Sequence, residues 1–471
     1  MEQKYKKLGK NTILVMVGQA GSSLISLLML PLYTSWLTTE EYGTVDLMST
    51  YASIILSIIT CCVADSIFIF PKNADDESKK KYFSSGLLFV LVAFLVSSLI
   101  NVIANRFIHS YEFLNLYSWH TLFLTLSMFL QKYAQQFTRS LEKMVVFATT
   151  GIVHTIAVAL LAILLIPIYK LDGYIYSLIL SNIIAAIYSL LCSRSYKYIS
   201  LRAFSKPHLK TLLIYGVPLI PNSLMWWMVN GLNRPVMEAY LGMSAIGLYA
   251  VANKFPGIVS MITNVFSNAW GISMLDEFEK PGFNTFFNRM FRLITFVSVI
   301  SAFFLIIFSK QVISIFASDS FYEAWHVLPM LIISTVINTS TGLMGGIFMA
   351  MKQSKFFFYS SMASAATSVA FTFLLINQFG LLGCAIAAAL SFLVAFGLRV
   401  LFARNHIKGF SLLHFIVMLL ALLATNIILE SDLSFAIKAI LYLLIYIFLT
   451  YINRDSIIPI KNIIQSKWKK S

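Results

Sequence analysis

Apolar runs long enough to span a bilayer recur along most of this chain, near residues 11–34, 43–70, 82–105, 113–138, 145–168, 173–193 and 210–240. They continue near 246–271, 290–309, 324–351, 356–377, 381–402, 411–429 and 434–452. A helix rises 1.5 Å per residue, so about 20 apolar residues cross about 30 Å of hydrocarbon. The pattern predicts an all-α polytopic membrane protein with about 14 transmembrane helices, and the short connections leave no room for a soluble domain. Two stretches are amphipathic instead. Ile457, Ile460, Ile464 and Trp468 have helical spacing among lysines and predict a helix lying on the inner membrane surface. The segment 194–210, rich in Arg, Lys and Tyr, predicts an inner linker between two halves.

The seventh and eighth runs depart most from a lipid-facing pattern. They predict two helices, over 212–241 and 246–271, joined by a short outer loop. Yet they carry Asn230, Asn233, Arg234, Glu238, Asn253, Lys254, Asn264 and Asn268. A charge at membrane depth costs about 2.5–3.5 kcal/mol on insertion scales, so such residues face protein or a hydrated cavity. This helix pair is therefore expected to line something.

Composition narrows the class. The 471 residues are 58% hydrophobic and 12% charged, against roughly 25% charged in soluble domains. The net charge of +15 follows the membrane topology. Counted from a cytoplasmic N-terminus, the inward loops and ends hold nearly all Lys and Arg, while the outward loops hold Arg106, Lys170, Lys310 and Lys438. That bias predicts both termini in the cytoplasm and assigns the basic residues to anionic headgroups, with no nucleic-acid partner. Cys61, Cys62, Cys192 and Cys384 lie in apolar runs without metal-ligand spacing and read as small buried hydrophobes. No signal peptide is evident. Walker-type, HExxH and Gly-x-Ser-x-Gly motifs are missing, so neither an enzyme activity nor a cofactor or metal is expected.

The chain repeats. Pro31-Leu32-Tyr33 through Leu37 to Gly43 lies over Pro235-Val236-Met237 through Leu241 to Gly247, at a shift of 204 (235 − 31). Gly173 and Ser181 lie over Gly383 and Ser391, at a shift of 210 (383 − 173). An even number of helices per repeat gives two six-helix lobes in parallel orientation around a central cavity. The expected organisation is an N-terminal lobe over 1–200, a C-terminal lobe over 201–408, and two further helices with a cytoplasmic tail over 409–471. Asp46, Thr50, Ser53, Ser57 and Thr60 form a polar stripe on the second helix. The equivalent positions in the second lobe include Lys254 and Asn264, and Ser26, Leu30 and Thr34 correspond to Asn230, Arg234 and Glu238.

Arg234 has two readings. It is an i,i+4 ion-pair partner of Glu238, or a phosphate anchor, because a planar guanidinium binds oxyanions bidentately. Lys254 either joins it there or pairs with Glu238 or Asp46. Asn230, Asn264, Asn268, Thr50 and Ser53 are candidate polar contacts to substrate. Trp226, Trp227 and Trp270 either stack on sugar rings or serve packing and interface belts. Asp46 and Glu238 are candidate proton or sodium sites. Asp65 is expected to contact Lys132 or Arg139, and His154 is expected to be a packing histidine.

Gly9-Lys10-Asn11-Thr12, Leu30-Pro31-Leu32-Tyr33 and Glu41-Tyr42-Gly43 with Asp46-Leu47 resemble the polysaccharide flippases of the Wzx type, within the multidrug/oligosaccharidyl-lipid/polysaccharide exporter superfamily. That resemblance implies two six-helix lobes around a V-shaped cavity. It also implies flipping of undecaprenyl-diphosphate-linked oligosaccharide from the inner to the outer leaflet of a bacterial inner membrane by alternating access, for O-antigen, capsule or exopolysaccharide synthesis. The implied partners are the lipid-linked oligosaccharide, the membrane, a coupling proton or sodium ion, and a polysaccharide polymerase with its chain-length machinery. Related lipid II flippases carry arginine in the first helix, where this chain has only Asn11 and Gln19 as polar residues. That departure argues against a peptidoglycan precursor as substrate. Two other readings compete: a proton- or sodium-coupled drug exporter of the same superfamily, expected to have an acidic cavity, and a membrane polymerase or ligase, expected to have a long outer loop.

Overall fold

A computed structural model describes residues 18, 20–107, 112–263, 270, 274, 278, 280–351 and 353–454. The opening motif with Asn11 and Gln19, the site candidates Asn264 and Asn268, and the amphipathic tail over 457–468 lie outside them. The described residues form sixteen α-helices and no strand. Ten helical stretches among them are long and apolar enough to cross a membrane. Two of these, Met144–Cys192 and Ser354–Ala403, are each two spans joined at a sharp break.

The breaks carry the repeat into the backbone. Lys170 has φ 51°, ψ −123°, and Gly380, 210 positions later, has φ 54°, ψ −131°. Three residues on, Gly173 and Gly383 let the two arms of each hairpin meet. A Cβ on either would come within 2.3 or 2.4 Å of the carbonyl oxygen of Leu165 or Leu375, themselves 210 apart. Glycine takes a positive φ without strain, whereas lysine pays about 1–3 kcal/mol there. Lys170 partly offsets this by donating from Nζ to the Trp36 carbonyl at the end of a helix (3.4 Å). Lys170→Gly is expected to stabilise the protein by about 1 kcal/mol net of the flexibility glycine adds to the unfolded chain. A lower melting midpoint in detergent would contradict this.

The described chain divides into two compact units. The first runs to Trp227 and includes Gly242–Gly247. Its centre is Val63, Ala64, Ile67, Phe83, Phe129, Tyr133, Phe137 and Leu212, with the Tyr133 hydroxyl donating to the Phe83 carbonyl (2.8 Å). Because Leu212 belongs to this cluster, the opening half of the seventh span packs with the first unit. Ser66 Oγ donates to the Leu212 carbonyl (2.9 Å), and Gly216 sits against the Cys61 carbonyl. The linker over 194–210 is folded down rather than loose. Ser84 Oγ donates to the Tyr198 carbonyl and accepts from Ser200 N–H, and Ser85 Oγ makes the same pair of bonds to Ser205. Burial, with an added hydrogen bond to Asp76, pushes the Tyr198 phenol up.

The second unit comprises Met228–Leu241 and the chain from Leu248 onward. Lipid is as apolar as leucine, so helices in a membrane associate through close packing and polar contacts. Ser364 Oγ donates to the Ser391 carbonyl (2.9 Å), and Thr341 Oγ1 to the Phe392 carbonyl (3.3 Å). Arg399 is buried here, donating to Ser360 Oγ (3.0 Å) and the Thr341 carbonyl (2.7 Å) across the face of Phe357. The helix Leu412–Glu430 packs on Phe283–Ile307, where Phe291 meets Phe415. The last span, Phe435–Ile452, is exposed along most of its length.

Candidate functional site

The two continuous helices expected over 212–241 and 246–271 are both interrupted. The seventh span consists of Lys206–Gly216, a short 3₁₀ turn at Val217–Leu219, Ile220–Asn230, a break at Gly231 and Leu232, and then Asn233–Leu241. The eighth runs as Met243–Ala252, turns at 253–255, and is helical again over 256–263. Proline explains the second interruption. Pro256 has no N–H to give the carbonyl four residues back, and it disfavours α geometry at Phe255. The neighbouring amides close shorter rings instead: Lys254 N–H donates to Val251 O (3.1 Å) and Phe255 N–H to Ala252 O (3.3 Å). Five of the polar residues that make this helix pair conspicuous, Asn230, Asn233, Arg234, Asn253 and Lys254, lie at or beside the two interruptions.

In the second unit, Arg234 is buried in the first turn after the break at 231–232. Its Nη1 donates to the Asn230 carbonyl and to Asn233 Oδ1 (2.8 Å), and its guanidinium carbon stands 5.0 Å from the centroid of the Tyr249 ring. Asn233 is buried as well, and its Nδ2 donates to the Tyr249 hydroxyl (2.8 Å). Tyr249 also accepts, at its carbonyl, the Asn253 N–H (2.9 Å) that opens the turn carrying Lys254. Lys254, Asn253 and Asn230 are exposed, and Glu238 is half-buried. The unit therefore presents an accessible ammonium on one helix break, and a guanidinium held beside the other by an amide and an aromatic face.

In the first unit, Asp46, Thr50, Ser53, Ser57 and Thr60 lie along Thr39–Ile59 and its C-terminal cap. Most of their hydroxyl protons are used within the helix. Thr50 donates to the Asp46 carbonyl (2.8 Å), Ser53 to Thr50 (2.7 Å) and Thr60 to Leu56 (2.7 Å). What this face keeps for an outside ligand is acceptor capacity, at half-buried Thr50 and exposed Ser53. Trp227 Nε1 donates to the Thr50 carbonyl (2.9 Å), and Trp226 beside it is exposed.

Several candidates resolve into packing. Trp270 is buried, donates to the Leu343 carbonyl (3.3 Å) and stacks on Phe286. Asp65 pairs with Lys132 at 2.9 Å, whereas Arg139 lies over the Phe68 ring at 4.1 Å. His154 shares a hydrogen bond with Asn182, itself bonded to Ser127. Cys62 and Cys384 are buried and Cys61 half-buried, but Cys192 is exposed, contrary to its reading as a buried hydrophobe. Among the described residues no group of His, Cys, Asp or Glu could hold a metal ion.

Comparison with known proteins fits this geometry. Residues 8–270, more than half the chain, match the family of polysaccharide biosynthesis proteins. This chain belongs to that family. No curated protein matches the sequence. Among solved structures, this polysaccharide biosynthesis protein is similar to the lipid II flippase MurJ in an inward closed conformation. The TM-score is 0.74 at 15% identity, covering 95% of this chain and 99% of the other. It is also similar to an inward-facing multidrug resistance MATE transporter of the MOP superfamily, with TM-score 0.61 and 15% identity over 84% and 96% of the two chains. A MOP superfamily transporter from Pyrococcus furiosus with a binding pocket of reverse polarity gives 0.52 at 16% identity, over 84% and 94%. The family member described here thus has a MurJ- and MATE-like fold.

Proposed function

We propose that this protein flips undecaprenyl-diphosphate-linked oligosaccharide from the inner to the outer leaflet of a bacterial inner membrane, by alternating access, for O-antigen, capsule or exopolysaccharide synthesis. A bare diphosphate cannot enter hydrocarbon, since an unpaired ion is far too costly to bury. It needs cations and a wet polar surface along its way. The observation that carries the reading is the accessible Lys254 on a proline-broken span, one turn from Tyr249, whose ring carries the buried Arg234. Broken helices of this kind form substrate sites in transporters. Membership of the polysaccharide biosynthesis family supports a lipid-linked sugar over a cationic drug.

In this reading Lys254 and Arg234 take the diphosphate, while Asn230, Asn264 and Asn268 contact phosphate and sugar. Thr50 and Ser53 accept hydrogen bonds from sugar hydroxyls, and Trp226 offers a stacking face. The polyprenyl chain stays in lipid. Asp46 and Glu238 are the groups proposed to couple flipping to protons or sodium, both termini are placed in the cytoplasm, and a polysaccharide polymerase with its chain-length machinery receives the product.

The test is reconstitution of the full chain into liposomes with a lipid-diphosphate oligosaccharide and an assay of its exposure on the far leaflet. Translocation is expected, and Arg234→Ala should slow it about tenfold or more, since a charge-assisted contact contributes about 1.5–3 kcal/mol. Export of a cationic dye without lipid flipping would overturn the reading. An unchanged rate in Arg234→Ala would remove Arg234 from the site.

A further inference from the structure

We infer that Asn233 and Tyr249 are positioning residues for Arg234, the buried substrate cation of the second unit. The inference rests on the proposed binding of a lipid diphosphate and names residues that reading does not use. The amide of Asn233 has one orientation that satisfies both neighbours. Its Oδ1 accepts from Arg234 Nη1 and its Nδ2 donates to the Tyr249 hydroxyl, each at 2.8 Å. Reversing it would set an N–H against a guanidinium that can only donate. Tyr249 then serves twice. Its ring lies 5.0 Å beneath the Arg234 guanidinium, a cation–π contact. Its carbonyl receives the Asn253 N–H at the start of the turn carrying Lys254. Asn233 thus joins the helix that bears Arg234 to the helix that leads into the Lys254 turn.

The internal repeat argues that packing alone does not demand these residues. At the 204-residue shift, Asn233, Arg234 and Tyr249 correspond to Met29, Leu30 and Val45, all buried and all apolar. At these three places the first unit buries apolar side chains. In the second unit the fold accommodates three buried polar groups in those places, and buried polar groups are costly unless fully partnered. A neutral amide beside Arg234 holds the guanidinium by a hydrogen bond without adding a negative charge of its own to compete with an anionic ligand.

Two substitutions test this. Tyr249→Phe keeps the ring and removes the hydroxyl that orients Asn233. Asn233→Asp keeps the shape and sets a carboxylate against the guanidinium. In proteoliposomes, apparent KM for a lipid-diphosphate oligosaccharide should rise about fivefold for Tyr249→Phe, the scale of one hydrogen bond, and tenfold or more for Asn233→Asp. The maximal rate should stay within about twofold. On an Arg234→Leu background both effects on KM should vanish, because they act through Arg234. Equal effects on both backgrounds, or none on either, would overturn the inference, and if Asn233→Asp does not fold then Tyr249→Phe decides alone. A second readout separates this from the proposed transport. Inorganic diphosphate should raise the melting midpoint of the detergent-solubilised protein, and Arg234→Leu or Asn233→Asp should abolish the rise. A diphosphate shift lost in Asn233→Asp, with no lipid flipping by the unsubstituted protein, would sink the flippase reading and keep the positioning pair. A shift that persists in Asn233→Asp would sink the pair.

Discussion

Gly247→Ala is expected to cost about 3 kcal/mol or more and to lower the yield of monodisperse protein in detergent sharply. The reason is a reciprocal contact at the start of two repeat-related helices. A Cβ on Gly247 would lie 1.9 Å from the Thr39 carbonyl oxygen and 2.8 Å from its carbon. A Cβ on Gly43 would lie 2.1 Å from the Met243 carbonyl oxygen. Thr39 and Met243 are themselves 204 positions apart, as are the two glycines. Every atom met is backbone, so no side chain can swing away, and relief requires the helices to part by more than 1 Å. Parting them would also separate the Thr39 and Ser244 hydroxyls, now 2.6 Å apart. Inserting bulk into a tight core ordinarily costs 1–3 kcal/mol and occasionally more. Backbone-on-backbone contact belongs at the upper end. Gly342→Ala is the control, since a Cβ there meets nothing within 4 Å and alanine favours a helix by about 0.5–1 kcal/mol. Melting curves of the two variants by fluorescence-detected size exclusion make the comparison. A Gly247→Ala protein as stable as Gly342→Ala would refute the contact.

The second large effect is functional. Lys254→Glu is expected to reduce lipid-diphosphate translocation about a hundredfold while leaving expression and melting close to those of the unsubstituted protein. Lys254 is exposed on the turn before Pro256, so folding does not depend on its ammonium. Reversing its charge replaces an attraction to diphosphate with a repulsion of similar size, and each tenfold corresponds to about 1.4 kcal/mol. Lys254→Arg should retain most of the rate, and Lys254→Gln should fall between the two. The proteoliposome flipping assay distinguishes them. Equal rates for Lys254→Glu and Lys254→Arg would mean that the substrate never meets this residue.

Some of this site was legible residue by residue. Apolar length marks the spans, and matching Pro-x-x and Gly positions mark two shifts: 210 recurs in the backbone at Lys170 and Gly380, and 204 in the reciprocal contacts of Gly43 and Gly247. Polar residues within apolar runs pointed to the seventh and eighth spans. The breaks in those spans are less legible, although Pro218, Pro235 and Pro256 stand at or beside them: an uninterrupted apolar run reads as one helix, and proline in a membrane span does not always interrupt it. Asn233 was noticed only as one polar residue among eight, and Tyr249 not at all, because a tyrosine in an apolar run has no distinguishing spacing. By type Trp270 is either a sugar platform or a packing residue, and its contacts with Leu343, Phe286 and Gly346 decide for packing.

The sequence by itself determined the class, the repeat and the unequal polarity of its two copies. Those follow from hydrophobic length and from residue identity at related positions, which need no partner to be read. Tertiary structure decided which cation is buried and which accessible, that Asp65 takes Lys132 and not Arg139, and that half of the seventh span packs with the first unit. In water, the apolar stripe of a helix tells which side turns inward. In a bilayer, lipid and protein interior are equally apolar, so the rotation of each helix about its axis is set only by the neighbours it packs against.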